Sequence, residues 1–157
     1  MHSAELVWIT PDSEQLIGKI ARVSNPANEN NPNVVGLLKY LIKHRHWSPF
    51  EMASMCLEIQ TTRAIAPQIL RHRSFSFQEF SQRYAVATEV EMPHLRRQDL
   101  KNRQNSIDDM PQAIEANFGQ DISDHFQAAK KLYQEMLDAG VAKECARAVL
   151  PLNTTTR

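Results

Sequence analysis

The sequence predicts an α+β fold: one helix-rich domain over residues 1–157, with a small mixed or antiparallel sheet packed with helices. Three observations predict it. In "VVGLLKYLIKH" the apolar residues Val34, Leu37, Leu38, Leu41 and Ile42 recur at i, i+3, i+4, i+7 and i+8, the stripe of an amphipathic helix. In "ASMCLEIQ" Ala53, Met55, Leu57 and Ile59 alternate with Ser54, Cys56, Glu58 and Gln60, the period of a half-buried strand. Strand-like and helix-like stretches also follow one another without the βαβ alternation of a parallel sheet. No internal repeat is present.

Taken in order, "ELVWIT" reads as a short strand stopped by Pro11. Asp12, with Gln15 three residues on, forms a capping-box pattern ahead of Leu16, Ile20 and Val23 at helical spacing. The stretch Asn25 to Asn33 is a loop by composition. The helix after it ends before "HRHWSPFE", where Pro49 disfavours a helical Ser48. "TTRAIAPQILRHR" reads as helical with Thr62 as an N-cap, and Pro67 fits only its first turn. Residues 91–112 are polar and aperiodic, a long loop or a ligand-dependent segment. Ile122, Phe126, Ala129, Tyr133 and Met136 mark a further helix closed by Gly140. "AKECARAVLP" is a last helical stretch, and "LPLNTTTR" runs out in polar residues with no closing element.

Composition narrows the function classes. With 18 basic and 18 acidic residues there is no general excess of positive charge to coat a nucleic acid, so an anion site must be local. Arg63 to Arg103 carries such a bias, with eight Lys/Arg against four acids. No apolar run approaches the length of a membrane span, and the N-terminus has no basic region followed by an apolar one; the expectation is a cytoplasmic protein. Cys56 and Cys145 lie far apart outside any C-x-x-C pair and read as small core hydrophobes.

The local bias centres on "RHRSFSFQEFSQRY", Arg71 to Tyr84. If Arg71 to Arg73 close a helix, the two arginines point about 200° apart and serve separate anionic groups. The plainer reading is a cationic last turn complementing the helix dipole, worth about 0.3–1 kcal/mol. If the run beyond is extended, Phe75, Phe77, Glu79, Ser81 and Arg83 share one face, with Ser76, Gln78, Phe80 and Gln82 on the other. An acceptor, a hydroxyl and a guanidinium in a row suit a phosphorylated sugar. The plainer reading here is an i,i+4 ion pair between Glu79 and Arg83 on a helix.

These residues carry a resemblance. The stretch is similar to the signature of the flavin-dependent thymidylate synthases, R-H-R-x-x-S-x-[NQ]-E-x-S-x-R-Y, at all nine fixed positions: Arg71, His72, Arg73, Ser76, Gln78, Glu79, Ser81, Arg83 and Tyr84. "ARVSNP", "HRHWSPFE" and "ECARAVLPLN" lie where that family has related segments, so the resemblance covers essentially the whole chain. It implies reductive methylation of dUMP to dTMP. The resemblance further implies that FAD carries hydride from NADPH and that methylenetetrahydrofolate is the carbon donor. It also implies a homotetramer with active sites shared between subunits. A flavin route needs no cysteine nucleophile, in keeping with the placing of Cys56 and Cys145.

Carried over by position, Arg71, His72 and Arg73 would contact FAD, with Arg71 also reaching the nucleotide. Ser48 would bind FAD, and His46 matches a histidine near the flavin. Gln68, Glu79, Ser81 and Arg83 would hold dUMP, Arg83 on its phosphate, and Glu79 is also a cofactor contact. Arg147 matches a nucleotide-binding arginine, although read alone it is a solvated helix arginine. The residues placed nearest the chemistry are His46, Ser81 and Arg83. For Ser81 binding is favoured over nucleophilic attack, because no base is evident beside it.

Other readings are weighed beside this one. His44, His46 and His72 suggest no metal site, since two histidines two apart at a helix end do not face one another and no carboxylate cluster joins them. His2, His94 and His125 read as surface residues. Family members continue beyond the "LPLN" segment with a further FAD contact and an arginine that pairs with the uracil ring. Relative to them the chain reads as incomplete at its C-terminal end. A flavin- or nucleotide-binding chain without turnover is therefore the first alternative. A nucleic-acid-binding module using Arg96, Arg97, Lys101 and Arg103 is the second, disfavoured because no aromatics interleave with those cations.

Overall fold

The computed structural model describes residues 2–87 and 89–157. They form an α+β fold in two compact units, Ala4–Ile59 and Gln60–Arg157, the latter with the first residues of the chain.

In the first unit, strand β1 (Ser3–Ile9) lies beside β2 (Met55–Thr62), and helices α1 (Ser13–Ala21) and α2 (Val34–Lys43) pack together. Gly18 makes the close approach of α1 to α2 possible: a Cβ there would stand 3.1 Å from Val34 Cγ1. Ile17 and Leu41 are buried, and the Arg22 Nη2 donates to the Asn33 carbonyl at 2.9 Å. The α2 stripe falls inward as expected at Val34, Leu37, Leu38 and Leu41, while Ile42 is exposed. Val23 lies beyond the end of α1 and is exposed, so it is not part of that helix's apolar face. Asp12 does not cap α1 through its side chain. Its backbone is left-handed (φ 49°), not the extended conformation from which an N-cap carboxylate reaches the first-turn N–H groups. Asn33 does cap α2: its Oδ1 accepts from the Gly36 N–H at 2.9 Å.

Helix α2 ends as the sequence indicates, and its end is a Schellman turn. The Arg45 N–H donates to the Ile42 carbonyl at 3.1 Å and the His46 N–H to Leu41 at 2.9 Å, with Arg45 itself left-handed at φ 58°. This reversal corrects the histidine geometry: the His44 and His46 rings come to 6.2 Å of one another, and His44 lies 4.3 Å from the Tyr40 ring. Ser48 is helical, contrary to expectation, because it opens the 3₁₀ turn Ser48–Met52. Pro49 sits in the first turn, where its missing N–H is not needed.

Strand β2 has the expected alternation but not the expected burial. Met55 and Leu57 are exposed, as are Leu6, Val7, Trp8 and Ile9 of β1, because nothing among the described residues covers these side chains. Cys56 is likewise exposed, and so is Cys145. Neither thiol is a core residue.

In the second unit, Thr62 belongs to β2 rather than capping a helix. Thr61 and Thr62 pair antiparallel with Thr156 and Thr155 of β5 (Thr155–Thr156). The chain therefore does have a closing element in its polar last residues. A threonine ladder can be buried because its hydroxyls find acceptors: Thr154, 1% exposed, donates to the Pro151 carbonyl at 2.6 Å. Helix α3 is only Ala66–Ile69, with Pro67 in its first turn as required. The polar segment after the signature contains a hairpin, β3 (Arg97–Gln98) against β4 (Ser106–Ile107). Its turn is built on Asp99, whose carboxylate accepts from the Asn105 side chain and from the N–H groups of Lys101 and Asn102. Those bonds hold its pKa below the ordinary aspartate range. Arg97 grips Asp109 with two bonds of 2.9 and 2.6 Å, which lowers the Asp109 pKa and raises that of Arg97.

Helix α4 (Gln112–Asp138) turns Ala129 and Tyr133 into the core, with Ile122, Phe126 and Met136 half-buried on the same stripe. Gly140, at φ 83°, closes it in a second Schellman turn, with Gly140 N–H to Leu137 and Val141 N–H to Met136, both 2.9 Å. Helix α5 (Lys143–Ala146) and the 3₁₀ turn Arg147–Val149 follow, and both pack on α4. His2, His94 and His125 are surface residues, as expected.

Candidate functional site

The signature lies wholly in the second unit. Because β2 takes Thr61 and Thr62 and α3 is a single turn, Arg71 to Arg73 follow the helix rather than close it. Leu70 ends α3, and the His72 N–H donates to Ile69 at 3.1 Å. The helical angle between Arg71 and Arg73 therefore does not apply. What the turn does is expose the side chains. Arg71 Nη1 donates to Gln68 Oε1 at 3.0 Å, and among the described residues neither Arg71 nor Arg73 has a carboxylate partner. The His72 ring stacks on Phe75 at 3.8 Å and 12°, and Phe75 meets Phe77 edge-on at 6.2 Å. Two guanidinium groups without a carboxylate partner among the described residues, flanking in sequence an exposed aromatic stack, can take an anion and a flat ring.

The run from Phe75 to Ser81 joins no strand, and the chain turns at Gln82–Tyr84, where the Tyr84 and Ala85 N–H groups donate to the Ser81 carbonyl at 3.1 Å. Glu79 and Arg83 therefore engage different partners instead of lining one extended face or pairing along a helix. Glu79 Oε1 receives Arg63 Nη1 at 2.6 Å and the Thr156 hydroxyl at 3.1 Å. Arg83 Nε meets Glu144 Oε2 at 3.2 Å. The Arg147 Nε donates to the Glu144 carbonyl at 3.3 Å, so Arg83 and Arg147 converge on one residue of α5. Lys143 Nζ donates to the Tyr84 carbonyl at 2.9 Å, tying the signature's end to α5 as well.

Gln68, Arg71, His72, Arg73, Glu79, Ser81, Arg83 and Arg147 are thus all within the second unit, while His46 and Ser48 belong to the first, exposed at the end of α2. Among the described residues no three His, Cys, Asp or Glu side chains are gathered as a metal would need. Sequence reasoning missed Arg63, Thr156, Lys143 and Glu144. Only Glu144 had a signal, its three-residue spacing from Arg147.

Residues 5–157 match the family model described as thymidylate synthase complementing protein. The chain belongs to this family. It is 58% identical over 144 residues to the flavin-dependent thymidylate synthase of Synechocystis sp., covering 92% of this chain and 66% of that one. It is 50% identical to a probable flavin-dependent thymidylate synthase of Paramecium bursaria Chlorella virus 1, with coverage of 98% and 76%. Among solved structures it is similar to a UMP/dUMP methylase, PolB, of Streptomyces cacaoi bound with 5-Br dUMP. The TM-score is 0.84 at 29% identity, over 99% of this chain and 70% of that chain. The fold and the intact signature are thus those of the family, and the chain spans about two thirds of its cyanobacterial relative's length.

Proposed function

We propose that this protein catalyses the reductive methylation of dUMP to dTMP, with FAD as hydride carrier, NADPH as reductant and methylenetetrahydrofolate as carbon donor. The observation that carries the reading is the exposed signature turn. Arg71 and Arg73 have no anionic partner within the described chain, and two anionic ligands, a dinucleotide and a nucleotide monophosphate, would supply them.

The residues present fit these ligands. Arg71, His72 and Arg73 would hold FAD, with Glu79 a further contact; Ser48 would also bind FAD and His46 lie near the ring, in active sites shared between subunits. Gln68, Arg71, Glu79, Ser81, Arg83 and Arg147 would hold dUMP. Arg83 and Arg147 would share its phosphate once the exposed contact with Glu144 yields, an exchange of a weak surface pair for a stronger charge-assisted one. Bound FAD would supply a two-electron hydride acceptor and donor, which side chains lack. The chain's own part is to orient the uracil and neutralise the phosphate. The nucleotide ligands named for the PolB structures support this substrate class.

The working form is a homotetramer, as the family resemblance implies, and the exposed apolar side chains of β1 and β2 support self-association, because such a surface suits a partner. We read residues 1–157 as one family domain acting in the cytoplasm.

The test is a visible spectrum of the purified chain with FAD added, followed by NADPH oxidation with and without dUMP. Bound flavin with dUMP-dependent oxidation is expected. Bound flavin whose oxidation ignores dUMP points to a chain that binds without turnover. No retained flavin contradicts the cofactor assignment.

A further inference from the structure

We infer that Arg63 and Thr156 are positioning residues for the signature carboxylate Glu79, fixing one of its oxygens so that the other is presented to the nucleotide. The inference rests on the reading that Glu79 contacts dUMP.

Both donors converge on the same atom. Arg63 Nη1 lies 2.6 Å from Oε1 and the Thr156 hydroxyl donates to it at 3.1 Å, while among the described residues Oε2 has no partner. Both donors also ride on one ladder. Thr156 pairs with Thr61 across β5 and β2 and is buried, and the Arg63 N–H donates to the Thr154 carbonyl at 2.9 Å just beyond that pairing. The last torsion of a glutamate is broad and soft, so an unanchored carboxylate samples many orientations. Two bonds to one oxygen from a shared strand pair remove that freedom and leave Oε2 to accept a uracil N–H or a sugar hydroxyl.

Charge adds a second reason. A bare carboxylate that contacts a nucleotide monophosphate adds repulsion to an anionic ligand, and the half-buried Arg63 cancels that charge at a distance where the pair is only partly screened. Arg63 thereby lets an acceptor-only side chain sit in an anion site. Nothing in the spacing of Arg63, Glu79 and Thr156 along the chain announces this, since β5 brings the third member in from the far end.

The experiment measures dUMP affinity by titration calorimetry on the full chain with FAD added, for wild type, Glu79→Gln, Arg63→Gln, Arg63→Lys, Thr156→Val and Thr156→Ser, with a thermal melt of each. Loss of an oriented, charge-assisted bond should weaken dUMP about tenfold or more in Glu79→Gln and in Arg63→Gln. The Arg63→Gln/Glu79→Gln double variant should be no weaker than either single. Arg63→Lys should restore part of the affinity, and Thr156→Ser should restore what Thr156→Val loses. A purely structural role would lower the melting temperature yet leave dUMP affinity unchanged in the folded variants. The inference is overturned if Arg63→Gln and Thr156→Val fold and bind dUMP like wild type while Glu79→Gln does not. If Glu79→Gln itself binds normally, the assignment of Glu79 to the nucleotide fails first and the inference falls with it. The two failures are therefore distinguishable.

Discussion

The cap of α2 gives a prediction in which one substitution changes its effect with its neighbour. Asn33 Oδ1 accepts from the Gly36 N–H at 2.9 Å, and a Cβ built on Gly36 would stand 2.9 Å from both Oδ1 and Nδ2 of Asn33. Asn33→Ala removes the cap and should cost about 1 kcal/mol. Gly36→Ala alone gains up to about 1 kcal/mol of helix propensity, but its methyl must push the Asn33 amide off the N–H, so the cap's worth is lost too. Its net effect should be near zero. In the Asn33→Ala background there is no amide to displace, so Gly36→Ala should stabilise by nearly its full propensity gain. The coupling between the sites is then about 1 kcal/mol, or about 2–4 °C in melting temperature for a chain of this size. Urea and thermal unfolding of the four proteins measure it. Effects that add within about 0.3–0.5 kcal/mol would refute the reasoning, because Gly36 would then have room for a methyl beside the intact cap. Helix α2 leads directly into the turn that displays His46 and Ser48, the two residues of this unit proposed for flavin binding.

Three further outcomes follow from the same geometry. The two Schellman turns differ in the residue at the left-handed position, so Arg45→Gly should stabilise and Gly140→Ala destabilise, each by about 0.5–1 kcal/mol; melts that move both variants in the same direction contradict this. Asp99 and Asp109 have folded pKa values below their ordinary range, so their contribution is complete above an unfolded pKa of about 4 and is lost only as pH falls through the lower folded values. Amide resonances of Lys101 and Asn102 should therefore keep their hairpin positions through mild acid and shift below it. A shift already near neutral pH would speak against the Asp99 turn. Finally, with Cys56 and Cys145 exposed and a flavin route proposed, the Cys56→Ser/Cys145→Ser protein should retain dUMP-dependent NADPH oxidation, whereas its complete loss would point to a thiol nucleophile.

What could be read from the sequence was whatever repeats or is contiguous. The α2 stripe, the buried face of α4, the Gly140 end and the signature itself all show in one linear window. The misses at Asp12 and Ser48 are local backbone conformations, and the others originate in partners distant along the chain. Thr155 and Thr156 look like a polar tail, but pairing with Thr61 and Thr62 makes them a strand with a buried hydroxyl. That pairing also withdraws Thr62 from α3, which shortens the helix and moves Arg71 into a turn. The alternation of β2 was legible, yet alternation cannot tell whether anything covers the apolar face, and among the described residues nothing does. Of the candidate site, the signature residues were recognisable as a motif. The groups that hold them, Arg63, Thr156, Lys143 and Glu144, come from three other segments and have no shared pattern.

The most direct test of the central claim is product analysis. The purified chain, loaded with FAD, receives dUMP, NADPH and methylenetetrahydrofolate, and the nucleotides are separated and weighed by mass spectrometry. The expected result is dTMP that depends on all three reactants and falls at least about tenfold in Arg83→Gln. Retained flavin with dUMP returned unchanged would contradict the claim.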